Sequence, residues 1–431
     1  MTTSAGRDCI MPEQLALLGG PKAAPTDPEP LIAWPLITRE DEEAVLEVLR
    51  SGDMSGTGIS KQFEREFGAW LGVPHCLAHC NGTASLQAAM FACELGVGDE
   101  LLCPSMTYWG SALQTFALGA TPVFVDILPD TLCIDPAGIE RWISPRTKAI
   151  MAVHYAGYPC DMDAILPIAE KHNLKVIEDV SHAHGTLYKG RKVGTFGHVA
   201  AMSCMSAKSF AASELGMLAT SDRYLYERAI AYGHYARHDD LTDPRLTPFA
   251  GYPQGGVKFR ANQLASALGR SQLRHYDARV AEIQKAMNYF WDLLEGVPGI
   301  LAHRPPKDSG STMGGWYAAK GLYRAEALGG LSIDRFCEAV RAEGADTTPG
   351  ANKPMHIHPV LNECDIYGHG KPTRIANADR DLRQPPESLP VSLNSYNLCF
   401  SIPWFKRYEP AIIEEQAAAF RKVAENADQL L

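Results

Sequence analysis

Apolar and polar positions along this chain follow two rhythms. Thr38-Arg-Glu-Asp-Glu-Glu-Ala-Val-Leu-Glu-Val-Leu-Arg50 opens on a capping residue, carries acids in its first turn and places Val45, Leu46 and Leu49 at helical spacing before Ser51-Gly52 stops it. The stretch from Ile59 to Leu71 repeats that period, with Phe63, Phe67 and Trp70 on one face. Pro74 to Cys80 then alternates side-chain direction as a strand does. Further short apolar runs predict strands at Glu100–Cys103, Pro122–Asp126, Ala149–His154, Lys175–Asp179 and Val199–Ser203. Helical segments separate most of them, at 83–95, 110–119, 136–142 and 161–173. Repeated strand-helix-strand units predict an α/β fold with a mostly parallel central sheet, covered on both faces. Function in such a sheet gathers at the carboxyl ends of the strands, where Asp126, His154, Asp179 and Ser203 fall.

The texture changes after about residue 275. A helical stretch through Tyr276 to Leu294, a Pro- and His-rich loop around 349–372 and a final helix from Glu409 to about Leu430 read as a smaller α+β C-terminal domain. Residues 1–30, rich in Pro, Gly and Ala without periodicity, read as an N-terminal arm or a poorly ordered lead-in. The expected organisation is an arm over 1–30, a large domain over 31–275 and a small domain over 276–431. A length of 431 residues with 46% apolar content suits two cores.

Charge narrows the partners. Forty basic and 50 acidic residues give a net charge of −10 without a basic block, so nucleic acid is not an expected partner. No apolar run approaches the roughly 20 residues that span a bilayer, and the N-terminus lacks a charged start followed by an apolar stretch. No membrane association and a cytoplasmic location are the resulting expectations. The 11 cysteines are scattered and odd in number, unlike a disulfide scaffold. His75-Cys76 and His79-Cys80 offer four soft ligands, but no second pair lies nearby in sequence, and the strand reading is preferred to a metal site.

Candidate chemistry centres on Lys208. It follows an apolar strand in Met205-Ser-Ala-Lys-Ser-Phe-Ala-Ala-Ser, a run of small residues with almost no other charge. Small neighbours admit a close cofactor, and an amine there is expected to have a lowered pKa, as a nucleophile and proton carrier requires. A surface lysine is the competing reading. Asp179 ends an apolar strand and Glu178 points to the opposite side, so one of the two can face a bound ring and hold its pyridine nitrogen protonated. Asn81-Gly82-Thr83-Ala84 sits where a strand meets a helix start, whose free amides suit a phosphate, although the same run is also an ordinary cap. Tyr108 or Trp109 can stack on a planar ring, and His182 and His184 can bond a phenolic oxygen or neighbouring backbone. Helix-start amides, aromatic, strand-end acid and lysine occur in the order that a pyridoxal-phosphate Schiff-base site needs. That conjunction favours the functional reading.

These residues, with Phe63-Glu-Arg-Glu-Phe, Gly119-Ala-Thr-Pro-Val-Phe-Val-Asp126, His154-Tyr-Ala-Gly157, Ala183-His-Gly185 and Tyr188-Lys-Gly-Arg191, make the chain resemble the DegT/StrS-type sugar aminotransferases. These are fold-type I pyridoxal-phosphate enzymes, and the likeness runs from about Trp34 to the C-terminus. The resemblance implies that Gly82, Thr83 and Ala84 cradle the phosphate, Ser203 bonds it, Tyr108 stacks on the ring, Asp179 pairs with the ring nitrogen, and Lys208 binds the aldehyde and moves the proton. It also implies a homodimer with active sites at the interface. Lys208 argues against the related dehydratases, in which a histidine replaces that lysine.

Three positions depart from the family pattern. His182 stands where Gln is usual, and Lys258 where an Asn reaches the neighbouring subunit's phosphate, so Lys258 can supply a full charge there or lose the contact. Leu215 stands where Gly is usual, which predicts a rearranged loop beside the lysine. His356 and His358 are read as polar contacts of a substrate loop rather than metal ligands. The expected activity is transfer of an amino group from glutamate or glutamine to a keto-sugar or keto-cyclitol. A pyridoxal-phosphate elimination on a sugar, and an idle paralogue that binds cofactor or sugar, are the alternatives.

Overall fold

A computed structural model of the chain describes residues 13–431. The strands are β1 His75–His79, β2 Glu100–Pro104, β3 Thr121–Val125, β4 Thr147–Val153, β5 Lys175–Asp179, a two-residue hairpin of β6 Leu187–Tyr188 and β7 Arg191–Lys192, β8 Val199–Ser203, β9 Gly216–Thr220, β10 Ile300–Ala302, β11 Lys320–Tyr323 and β12 Cys399–Ser401. Seven of them form the central sheet in the order β1-β9-β8-β5-β4-β2-β3. All neighbours from β8 to β3 are parallel, and β9 runs against both β8 and β1. The sequence pattern gave no sign of β9. It follows β8 through residues 204–215, a loop with no crossover helix, so the chain can only return antiparallel. That loop carries Lys208 and lies at the carboxyl end of β8.

The predicted helices form with shifted bounds. Thr38 caps Arg39–Ser51 in a capping box with Asp41, and Gly52 ends it at φ 72°. The run predicted over 110–119 is instead two 3₁₀ turns, Trp109–Ser111 and Leu113–Leu118. Within it the Thr115 hydroxyl donates to the Ala112 carbonyl at 2.7 Å, a local bond that competes with regular helix. The run over 136–142 likewise splits into Pro136–Ile139 and the 3₁₀ turn Glu140–Trp142.

Two hydrophobic cores are present. One surrounds the seven-stranded sheet, and the other lies between β10-β11-β12, the helices Ile333–Glu343 and Pro410–Glu425, and the second half of a long helix. That helix runs from Gln263 to Leu293 and starts well before Tyr276 because Asn262 caps it, accepting from the Ala265 amide at 2.8 Å. Tyr276 packs in the first core and Ile283 onward in the second, so one continuous helix joins the two.

The segment read as a loose lead-in is anchored where it is described. Leu15, Ala24 and Leu31 enter the second core. The buried Glu343 carboxylate accepts from the Ala16 and Ala23 amides at 2.7 and 3.0 Å and pairs with buried Lys422 at 3.0 Å. Pairing satisfies a carboxylate that burial would otherwise penalise. Residues 1–12 of the expected arm lie outside the described residues.

Residues 351–398 return to the large sheet and cover its β3 edge. The Gln384 side chain bonds both the amide and the carbonyl of Phe124, at 2.8 and 2.7 Å, and buried Arg374 donates to the Pro122 carbonyl at 3.0 Å. An open strand edge is thereby closed. His356 belongs to this clasp: its Nδ1 lies 2.7 Å from Ser105 Oγ and its Nε2 3.1 Å from the Pro386 carbonyl. The expectation that His356 contacts substrate is corrected accordingly, because both ring nitrogens are already used. His358 caps a short helix by accepting from the Val360 amide.

Candidate active site

A cavity of about 610 Å³ opens at the carboxyl ends of the parallel strands, between the sheet and the segments 317–320 and 348–352. At one end of it, β1 stops and Asn81 caps the helix Gly82–Ala92. Asn81 Oδ1 accepts from the Ala84 amide at 2.8 Å, so Ala84 spends its donor on the cap and is not among the lining residues. The sequence expectation for Ala84 is corrected on that ground. The amides of Gly82 and Thr83 have no acceptor among the described residues, and both residues line the cavity, as an anion cradle requires. A Cβ on Gly82 would sit 2.4 Å from Ser203 Cβ; glycine lets the end of β8 close onto the helix start and brings Ser203 to the same place.

The two acids of β5 divide their roles by strand alternation. Glu178, fully buried, accepts from the amides of Gly194, Phe196 and Gly197 at 2.7, 2.8 and 2.6 Å and lies 3.0 Å from His154 Nε2. Burial works to raise its pKa, but the His154 bond and these amides outweigh it, and the carboxyl is held below its usual range. His154 takes the Cys160 amide on Nδ1 at 3.0 Å and is a structural partner of Glu178, outside the cavity lining. Asp179 faces the cavity. Its oxygens accept from Ser111 Oγ at 2.7 Å and the Ser181 amide at 3.0 Å.

Lys208 is 8% exposed, with Nζ 4.1 Å from the centre of the Tyr317 ring and no ion-pair partner among the described residues. Burial lowers its pKa to about 8, against an opposing pull from Asp179. The neutral amine that a nucleophile needs is thus accessible near neutral pH. The Lys208 carbonyl accepts from Trp34 Nε1 at 2.9 Å, so the N-terminal segment buttresses the lysine loop from behind.

His182 lines the cavity between Tyr155 and Tyr317, with ring centroids 5.5 and 4.8 Å away. Burial, then the charges of Lys208, His184 and Lys320, keep its pKa well below the ordinary value. The ring is neutral. Its Nδ1 accepts from the Ala156 amide at 3.3 Å, which leaves the proton on Nε2. His184 is buried behind the site against Cys204 and Phe210 and does not line the cavity.

Tyr108 lines the cavity with half its surface open. Lys258 does not line it: the side chain is exposed and its Nζ lies 5.7 Å from the Tyr235 ring centre. Leu215 also falls outside. It is fully buried with ordinary backbone, packed toward Gly269, and the left-handed conformation in that stretch falls on Ser213 at φ 63°. Leu215 is thus accommodated as a buried apolar side chain beside the lysine loop.

Ser111, Tyr317, Lys320 and Asn352 line the cavity although no sequence motif marks them, and Tyr155 of the His154-Tyr-Ala-Gly157 run joins them. One signal pointed toward Tyr317. Gly314-Gly315 precedes it, and a Cβ on Gly315 would lie 2.3 Å from that of Ser209, the neighbour of Lys208. Trp316 and Ala318 on either side take φ 54° and 55°, strained values for non-glycine residues that turn Tyr317 toward the lysine.

The model of the DegT/DnrJ/EryC1/StrS aminotransferase family matches residues 35–407. The chain belongs to this family. Among relatives, the spore coat polysaccharide biosynthesis protein SpsC of Bacillus subtilis is 30% identical over 404 residues, covering 91% of this chain and 97% of that protein. An L-glutamine:2-deoxy-scyllo-inosose aminotransferase of Streptoalloteichus tenebrarius is 33% identical over 363 residues, covering 81% and 83%. The solved aminotransferase of Psychrobacter cryohalolentis superposes with a TM-score of 0.79 at 29% identity, covering 93% of this chain and all of that one. The fold is thus the fold-type I arrangement.

Proposed function

We propose that the chain is a pyridoxal-phosphate-dependent aminotransferase that moves an amino group from glutamate or glutamine to a keto-sugar or keto-cyclitol. The observation that carries this reading is the gathering of Lys208, Asp179, Ser203 and the free amides of Gly82 and Thr83 around one cavity of about 610 Å³. The residues present fit the cofactor: an anion cradle that a side chain at Gly82 would block, a carboxylate for a ring nitrogen, and an amine with a lowered pKa at about 8.

When bound, pyridoxal phosphate supplies an aldehyde and an electron-accepting ring. The Gly82 and Thr83 amides and the Ser203 hydroxyl would hold its phosphate. Asp179, kept in place by Ser111 and the Ser181 amide, would hold a proton on the ring nitrogen. Tyr108 would be the aromatic partner of the ring. His182 donates from Nε2, as the amide of the usual Gln would, so this departure keeps the donor. Lys208 Nζ would be the amine that holds the aldehyde, and as a neutral amine it could take up and return a proton there. Relatives named for glutamine-dependent transfer to an inosose support the donor and acceptor classes.

We further read the active form as a cytoplasmic homodimer in which exposed Lys258 serves the partner's phosphate site. No described helix is long and apolar enough to cross a membrane.

Mixing the purified protein with pyridoxal phosphate is expected to give a visible absorption band that Lys208→Ala removes. Glutamate or glutamine alone should then discharge the band and release the 2-oxo acid, and a keto-cyclitol or keto-sugar should restore it. A wild type without the band overturns the cofactor reading; a band that neither donor discharges overturns the transfer reading.

A further inference from the structure

The cavity contains a second, half-buried amine that the cofactor chemistry leaves unused. Lys320, at the start of β11, lines the wall facing the cofactor residues, and its Nζ donates to the Gly350 carbonyl at 2.8 Å. That is its single protein acceptor among the described residues, and no carboxylate there lies within ion-pair distance. An ammonium has three donors, and a half-buried one in a cavity wall with one carbonyl acceptor and no counter-charge is suited to an anion that arrives. Asn352 stands in the same wall. Its Oδ1 accepts from the Tyr155 hydroxyl at 2.6 Å, and its amide returns a bond to that hydroxyl at 3.3 Å. The Asn352 side-chain nitrogen therefore remains free of protein partners among the described residues, a second donor beside Lys320.

We propose that Lys320, with Asn352 Nδ2, is the receptor for the amino donor's α-carboxylate. The inference rests on the aminotransferase reading above and extends it to donor selection. The two acids of the lining are not available to Lys320. Asp179 is bonded to Ser111 and Ser181 across the cavity, and Glu214 is an exposed residue of the lysine loop. A keto-sugar or keto-cyclitol ring is uncharged and would offer the half-buried ammonium no counter-charge. Glutamate, glutamine and their oxo acids share an α-carboxylate, the complement of one ammonium and one amide N–H.

The direct test measures 2-oxoglutarate binding by calorimetry to the Lys208→Ala protein, which cannot react, with and without Lys320→Gln. Gln keeps a donor for the Gly350 carbonyl but removes the charge. Affinity should fall roughly 10- to 100-fold, the worth of a charge-assisted contact; unchanged affinity overturns the proposal. In the Lys208-intact protein, Lys320→Gln should keep the visible cofactor band, raise the KM for glutamine by a similar factor and move the KM for the keto acceptor less than about twofold. The reverse pattern, an acceptor KM that rises while the donor KM stays, overturns it as well. A wild type that takes up no cofactor sinks the aminotransferase reading, while the oxo-acid measurement still decides the role of Lys320.

Discussion

The wall of the cavity from Asn81 through Asp179 to Ser203 and the wall from Tyr317 to Asn352 differ in how their side chains are held. The first is made of strand ends and one helix start, and each functional group has a backbone or hydroxyl bond that fixes it: Asn81 to Ala84, Ser111 and Ser181 to Asp179, Ser181 to Ser203. The second is made of turns entering and leaving the small sheet, with left-handed backbone at Trp316 and Ala318 and a loop tied by Tyr155 to Asn352. A rigid frame suits a cofactor whose atoms must stay in register with a reacting bond. Loops tolerate change, which suits the side that distinguishes substrates.

The largest effects are expected within the first wall, where adjacent residues of β5 have opposite duties. Asp179→Asn should lower kcat on the order of 10²- to 10³-fold with little loss of stability, because it removes a charge aimed at the reacting system. Glu178→Gln should instead cost about 3–5 kcal/mol of stability, since buried amides lose their carboxylate, with activity falling only as the protein unfolds. Denaturant titrations beside kinetics separate the two. If Glu178→Gln lowers kcat in a fully folded protein, the two faces of β5 have been assigned the wrong way round.

A second comparison is by pH. The neutral Lys208 amine, with its pKa lowered to about 8, should make covalent cofactor uptake rise with pH up to about 8 and level off above. An ordinary lysine would keep rising toward 10.5. Stability should move at the other end of the scale. His184, lowered by burial and then by Lys208 to about 3, takes up its proton in the unfolded chain below 6.5 but not in the folded one, so stability falls as pH drops from 6.5. Glu178, with its folded pKa below 4.5, contributes stability that is present above 4.5 and lost below it. Thermal midpoints that stay flat from pH 6.5 to 4.5 would contradict the His184 assignment, and no further fall below pH 4.5 would contradict that of Glu178.

The smallest effect belongs to the second wall. Tyr317→Phe keeps the ring over Lys208 and should change kcat/KM less than about threefold, whereas Tyr317→Ala should cost about 1 kcal/mol, close to fivefold. Equal losses in the two variants would mean that the hydroxyl, rather than the ring, is what matters.

Much of the first wall is legible in the sequence. Lys175–Asp179 and Val199–Ser203 form strands with the predicted bounds, because apolar runs bracketed by polar residues leave few alternatives. Short-range rules also placed Gly82, Thr83, Asp179 and Lys208, each next to a strand end or helix start. Those rules overreached at Ala84, whose amide is consumed by the cap, and at His356, whose ring is consumed by the β3 clasp. Counting donors in space, not order in the chain, decides such cases.

The sequence by itself determined the parallel sheet and the family, because these depend on periodicity and on motifs whose parts lie close together in the chain. Tertiary structure alone decided which acid of β5 faces the cavity, that β9 returns antiparallel, and that Tyr317, Lys320 and Asn352 line the same cavity as a lysine more than a hundred positions away. The physical reason is that burial, desolvation and hydrogen-bond satisfaction are properties of packed neighbours. They assign roles only after the chain has closed on itself.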